Sequence, residues 1–372
     1  MNFIIDQKLH DYYNGKVKQI FLYLTDDCQL RCKQCLYKPN LIFQMGRKEI
    51  PFEHVVMLME DFYEMGARKV TFMGGEPFLY CNDSDKDNPE KFLKLIEIAD
   101  QIGYKYLRAD SNGQNPVEYY NFPELKKLGD LSFSIDGYNK EMNDPLRGEG
   151  SFDKCVSAIK EAVAGGVNVE ITSCVHPKLV EYDNGKPNII KMIHFAERLG
   201  VKAINFHVLF KHGFPMDTWT GDDTANLPED WVRVRDELDP KDFKIKVRIP
   251  MQFITRGEFD MKPGYYSYCP VKLGERALIH PDGQIRVCSG LISSKYYVGR
   301  FTDTHLLWED SILNEVSDHE MEDNTPCTNQ SKCQEYGEYV PVCFSFKPYQ
   351  KEFVWSNLLS WDKKEYEKAG KC

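Results

Sequence analysis

No run of about 18 apolar residues occurs anywhere in the 372-residue chain, so the sequence offers no membrane-spanning helix. It also lacks a basic start followed by an apolar stretch. Met1 to Lys16 mixes Asp, Gln, Lys, His and Tyr, which argues against a secretory leader. Excess positive charge is missing too. Lys and Arg number 47 against 57 Asp and Glu, a formal charge of −10, and such a balance does not suit a face that displaces counterions from nucleic acid. There is no internal repeat and no low-complexity tract. These absences lead to the expectation of a cytoplasmic protein, with neither nucleic acid nor membrane as partner, in which thiols stay reduced. Twelve cysteines then need an explanation other than disulfides, and metal or cluster ligation leads. What the sequence has in quantity is core-forming: 42% hydrophobic and 13% aromatic residues exclude global disorder.

Over roughly the first 210 residues, apolar strand-like runs alternate with amphipathic helical ones. Ile20 to Leu24 reads as a buried strand and is followed by a cysteine-rich loop. A helix begins near Pro51 with Phe52, Val55, Val56, Met59 and Phe62 on one face. Val70–Met73 is the next strand, and a helix follows with Phe92, Leu95, Ile96, Ala99 and Ile102 on its apolar side. Further strands are predicted near Tyr106–Ala109, Leu131–Ser134, Val167–Val175 and Ala203–Val208, with helices near Pro123–Lys127, Phe152–Ala164 and Ile189–Leu199. Gly165-Gly166 and Gly200 stand just past two helix ends, where a left-handed cap is expected. Six strand–helix units in succession imply a parallel α/β sheet, open or curled into a partial barrel. Residues 211–264, rich in Trp, Asp, Pro and charge, read as a connector or lid. Ala277–His280, Pro281-Asp282-Gly283 and Gln284–Val287 then read as a β-hairpin with an Asp-Gly turn.

The chemistry gathers after the first strand, in Thr25-Asp26-Asp27-Cys28-Gln29-Leu30-Arg31-Cys32-Lys33-Gln34-Cys35. Three thiolates on one short loop cap three irons of a [4Fe–4S] cube and leave the fourth iron open. A structural zinc site wants four closed ligands, and this loop offers three with no histidine nearby. Here the sequence resembles the radical S-adenosylmethionine (SAM) superfamily, whose defining loop has this spacing after the first barrel strand. The resemblance implies that the open iron chelates the amino and carboxylate groups of SAM. One-electron reduction then yields methionine and a 5′-deoxyadenosyl radical that abstracts hydrogen from a substrate. The loop departs from the family at Gln34, where an aromatic residue usually precedes the third cysteine.

Gly74-Gly75-Glu76-Pro77, at the end of the second strand, looks like the family's Gly-Gly-Glu-Pro motif, which binds the SAM amino group. Two glycines let the backbone come close to a neighbour, and a carboxylate beside them accepts hydrogen bonds from an ammonium. Asp110-Ser111-Asn112-Gly113, Ser134-Ile135-Asp136-Gly137 and Asn143–Gly148 follow in the family's order. Ser111, Asn112, Ser134, Asp136 and Arg147 are therefore expected SAM contacts. The resemblance covers roughly residues 18–210 and implies a partial (β/α)6 TIM-like barrel, after an N-terminal extension over 1–17.

A second cysteine group, Cys269, Cys288, Cys327, Cys333 and Cys343, resembles the SPASM/Twitch auxiliary-cluster domains that follow many such barrels. It implies a small domain over 265–372. Two complete cubanes would need about eight thiolates, so one auxiliary cluster is expected, with a zinc knuckle as the alternative. Cys174, at the end of the fifth barrel strand, and His207, Lys211 and Asp217, at and after the sixth, are candidates for substrate contact or proton and hydrogen transfer. Only about 27 residues precede Cys28, too few for the helical peptide-binding domain of many peptide-modifying relatives. The expected substrate is thus a small polar metabolite, a sugar, aminocyclitol or nucleoside-like compound, with a ribosomally made peptide as the alternative. A reductant such as flavodoxin or ferredoxin is the expected protein partner. A non-enzymatic iron–sulfur or zinc redox sensor would explain the cysteines but not Gly74–Pro77.

Overall fold

Alternating apolar positions bury one side of each strand against helices, and this pattern organises the molecule. The computed structural model describes residues 2–35, 37, 48–80, 89–208, 226–261, 274–286, 297–309 and 337–341. Its first strands are β1 Ile4–Ile5, β2 Gln19–Tyr23, β3 Lys69–Met73, β4 Tyr106–Ser111, β5 Asp130–Ser134 and β6 Val169–Val175. There follow β7 Tyr182–Asp183, β8 Lys186–Pro187, β9 Ala203–Val208, β10 Lys246–Arg248 and β11 Phe253–Thr255. The last are β12 Arg276–Ile279, β13 Gln284–Arg286, β14 Tyr297–Phe301, β15 His305–Trp308 and β16 Tyr339–Pro341. Twelve of them form one sheet in the order β1-β15-β14-β13-β12-β2-β3-β4-β5-β6-β9-β10. Every neighbouring pair from β12 to β10 is parallel. The six expected strands lie side by side in this run as a partial barrel.

Leu58, Met59 and Phe62 of the helix Phe52–Glu64, and Phe92, Leu95, Ile96 and Ala99 of the helix Glu90–Ile102, have no exposed surface. They share a core with Ile20 and Leu22 of β2 and Val70 and Phe72 of β3. Gly166 and Gly200 take the expected left-handed capping conformation. Pro123–Lys127 forms a 3-10 turn rather than an α-helix, closed by Leu128 N–H to Leu125 O at 3.1 Å just before β5.

The other side of the strands carries buried polar groups next to an apolar cluster that includes Phe21, Tyr23 and Met73. Gln19 donates to Thr71 Oγ1 at 2.9 Å. Arg108 on β4 reaches across β5 to Glu170 on β6 at 2.6 Å and also pairs with Asp110 at 2.7 Å. Arg248 on β10 reaches across β9 to the same Glu170. Buried charges are tolerated where each is paired, and this ladder ties non-adjacent strands together.

Residues 226–261, within the span read as a connector or lid, carry a helix, Pro228–Asp236, as well as β10, which continues the parallel sheet beyond β9. The expected hairpin is present as β12 and β13, with Ile279 opposite Ile285 and the turn closed by Gly283 N–H to His280 O at 3.0 Å. Its first strand pairs with β2, so the hairpin extends the barrel sheet itself. The N-terminal β1 pairs in parallel with β15. Among the described residues no helix is long and apolar enough to cross a membrane.

Candidate active site

The cysteine loop leaves β2 and is clamped to the end of β3 by backbone alone. Gly75 N–H donates to Thr25 O and Glu76 N–H to Asp27 O, both at 2.7 Å. A side chain at either glycine would collide with this loop: a Cβ on Gly74 or Gly75 would overlap the carbonyl oxygen of Thr25 or Asp27 respectively. Gly74 also holds φ at +146°, which an L side chain rarely adopts. The backbone that these glycines admit is therefore that of the cysteine loop.

Glu76 is fully buried, and four groups donate to its carboxylate. Ser111 Oγ lies at 2.9 Å, Asn112 N at 2.7 Å, Asn115 Nδ2 at 3.2 Å and Phe78 N at 3.4 Å. The last bond caps the short 3-10 turn that starts at Pro77. Burial still holds the carboxyl up at about 7, because four hydrogen bonds only partly offset desolvation. The carboxylate thus braces the end of β3 against the turn after β4. In that turn Asn112 Nδ2 lies 3.4 Å from Cys28 Sγ, and Leu30 N approaches the same sulfur at 3.4 Å. Gly113 is required because a Cβ there would come within 2.9 Å of Cys155, a buried thiol.

Asp136 is the second centre. It is fully buried and forms an ion pair with Arg147 Nε at 2.6 Å. It also accepts the backbone N–H of Cys174 at 2.6 Å and the amide of Gln34. Its own N–H donates to Asn143 Oδ1 at 2.9 Å, and its carbonyl meets His176 Nε2 at 2.8 Å. Arg147 Nη1 stands 4.0 Å from Cys32 Sγ. Burial pushes the Cys32 thiol up, and the nearby guanidinium works against that shift. Burial likewise pushes the Cys28 thiol up to about 12, with the Glu76 charge adding to it. Cys28 and Cys35 pack against the aromatic group of Tyr23 and Tyr37. His280, from the hairpin, stacks on Tyr23 with ring centroids 4.1 Å apart.

The loop, Gly74–Pro77, Ser111, Asn112, Asp136 and Arg147 are thus drawn together at the C-terminal ends of β2 to β5. Ser134 contributes its carbonyl, which takes the Cys155 thiol at 3.7 Å. Cys174 and His207 are register partners on β6 and β9, and His207 Nε2 is 2.8 Å from Asn205 Nδ2. Lys211, Asp217, Cys269, Cys288, Cys327, Cys333 and Cys343 lie outside the described residues. Sequence reasoning missed Gln29, Asn115 and Asn143 as parts of the site, and saw Gln34 only as a departure. Gln34 is a buried anchor of the loop on Asp136.

Among the described residues no three His, Cys, Asp or Glu side chains are grouped to hold one metal ion. Three cysteines spread along one loop, with N–H groups directed at Cys28 and a guanidinium beside Cys32, fit a [4Fe–4S] cube.

A parallel α/β barrel with a three-cysteine loop after its first strand and a Gly-Gly-Glu-Pro turn after its second is the arrangement that the resemblance to radical SAM domains implies. Residues 22–183 match the family model described as the radical SAM superfamily. That superfamily uses a [4Fe–4S] cluster and SAM. Curated relatives include the GTP 3′,8-cyclase of Lactiplantibacillus plantarum, 38% identical over 213 residues, 57% of this chain and 60% of that one. Another is the GTP 3′,8-cyclase of Petrotoga mobilis, 24% identical over 166 residues, 44% of this chain and 49% of that one. The chain spans about half the length of the curated relatives it matches. In fold it is similar to Streptococcus suis SuiB bound to the precursor peptide SuiA, with a TM-score of 0.57 and 14% identity over 84% of this chain and 68% of that one. Native anSMEcpe with bound AdoMet also gives a TM-score of 0.57, at 16% identity over 82% of both chains.

Proposed function

We propose that the protein is a radical SAM enzyme that acts on a small polar metabolite, a sugar, aminocyclitol or nucleoside-like compound, by oxidation, epimerisation or decarboxylation. The observation that carries the substrate class is the polar character of the inner strand faces: Asp110, Thr172 and His207 stand half-buried beside the buried Arg108–Glu170–Arg248 ladder, which suits a hydroxylated or charged molecule. Relatives named for GTP support the same class. A peptide substrate is the second reading, favoured by the fold shared with SuiB, whose structure holds a precursor peptide.

Cys28, Cys32 and Cys35 would hold the cluster, which with SAM supplies hydrogen-atom abstraction. Gly74–Pro77, Ser111, Asn112, Ser134, Asp136 and Arg147 would form the SAM side of the site. There Arg147, held by Asp136, offers a fixed positive charge to a carboxylate. Cys174 and His207, with Lys211 and Asp217, are proposed to face substrate. Cys269, Cys288, Cys327, Cys333 and Cys343 are proposed to supply one auxiliary cluster in a C-terminal domain, and flavodoxin or ferredoxin to supply electrons. The test is anaerobic incubation with SAM and dithionite, assayed for 5′-deoxyadenosine. Wild type should produce it and the Cys28→Ala/Cys32→Ala/Cys35→Ala protein should not, while keeping about four irons for the auxiliary site. Product from the triple variant refutes the assignment. Polar metabolites and peptides added to the same assay separate the two substrate readings, since the true substrate increases turnover and acquires a modification.

A further inference from the structure

We infer that the side chain of Asn112 is an N–H···S donor to Cys28 that raises the reduction potential of the cluster. The inference rests on the reading of Cys28 as a cluster ligand and gives Asn112 a role separate from any contact with SAM. The orientation of its amide is set by its neighbours. Asn112 Oδ1 accepts the backbone N–H of Gln114 at 2.9 Å, which turns Nδ2 toward Cys28 Sγ at 3.4 Å and Gln29 Oε1 at 3.0 Å. Gln29 Nε2 then donates to Asn115 Oδ1 at 2.7 Å, and Asn115 Nδ2 donates to Glu76 Oε1 at 3.2 Å. Each amide is oriented by the next, and the chain ends on a carboxylate. No flip of Asn112 preserves these bonds.

An N–H group beside a thiolate stabilises the more electron-rich state of the attached cluster, so its loss makes reduction harder. Asn112 is 8% exposed, so its amide competes little with water for the sulfur. Asn112 is therefore a positioning residue, acting on the cluster through Cys28.

The experiment is a redox titration of the anaerobically reconstituted holoenzyme without SAM, followed by electron paramagnetic resonance, with iron counted on each sample. Asn112→Ser is neutral and short. Its hydroxyl can keep the turn bond to Gln114 but does not reach Cys28. At the wild-type midpoint its reduced-to-oxidised ratio should fall roughly tenfold, equivalent to about 59 mV for a one-electron couple. Gln29→Leu, which removes the acceptor orienting Asn112, should shift the midpoint the same way by less. A wild-type midpoint in fully iron-loaded Asn112→Ser overturns the inference. If that variant does not hold its cluster, an unshifted Gln29→Leu overturns it. Failure of wild type to take up iron at the loop would instead overturn the reading of Cys28 beneath it.

Discussion

The contact between Gly75 and the cysteine loop can be tested with one methyl group. In Gly75→Ala the new Cβ overlaps the Asp27 carbonyl oxygen and lies 3.0 Å from the Asp26 carbonyl carbon. Both are backbone atoms, so no side-chain rotation can relieve the collision. The loop and the end of β3 must separate, which disrupts the Gly75–Thr25 and Glu76–Asp27 hydrogen bonds. Those two bonds contribute about 1 kcal/mol each, and forced repacking of a tight contact costs about 1–3 kcal/mol more. The expected loss is about 3–5 kcal/mol, or roughly 4–8 °C in the midpoint of thermal unfolding for a chain of this length. Cys28 follows the displaced Asp27 directly, so iron uptake on reconstitution should fall with stability. Gly257→Ala is the control. It lies in the helix Arg256–Met261 with nothing within 4 Å of the added Cβ, so the same substitution should stabilise by about 0.5–1 kcal/mol. A Gly75→Ala protein with wild-type melting and full iron content would show that the clamp is not what seats the loop.

Burial holds the folded Glu76 carboxyl at about 7 against an ordinary value of 4.5. Its stabilising contribution is therefore complete below pH 4.5 and is lost as pH rises through about 7. Between pH 5 and 8 the apoprotein should lose about 2–3 kcal/mol that Glu76→Gln does not, read as the pH dependence of the difference in urea stability; a flat difference contradicts it. Asp136→Asn should cost about 3–5 kcal/mol by leaving the Arg147 guanidinium buried and uncompensated, and adding Arg147→Met should recover most of that loss in urea unfolding. Equal instability of the single and double variants would count against the pair. Gln34→Ala should speed iron release to a chelator on the order of tenfold, since the loop loses its tie to Asp136; an unchanged release rate would make that tie incidental.

The six barrel strands and the cysteine loop were legible because their signals are local: short apolar runs, then three cysteines within eight positions. The buried charge ladder was not. Arg108, Glu170 and Arg248 look in sequence like ordinary surface charges, and only strand pairing reveals that they meet inside. The same holds for β10, whose Lys246-Val247-Arg248 has the pattern of an exposed segment. Gly74-Gly75 could be recognised as a motif, but the partner that makes the glycines necessary lies almost 50 residues earlier. Glu76 illustrates the limit of local reasoning. A carboxylate beside a glycine pair suggests an ammonium ligand, whereas the buried donors around it come from Ser111, Asn112 and Asn115, brought by the next strand.

The pairing of β12 with β2 carries a consequence for how the chain is made. β2 is among the first strands to leave the ribosome, and β3 soon covers one of its edges. Its other edge waits for Arg276–Ile279, about 250 residues later. At synthesis rates of about 5–20 residues per second, that edge stays bare for roughly 10–50 s. Unpaired N–H and C=O groups next to Phe21 and Tyr23 would then be open to strands of other chains. Slower translation or a higher local concentration of nascent chains should therefore lower soluble yield, even for a sequence whose finished fold is stable.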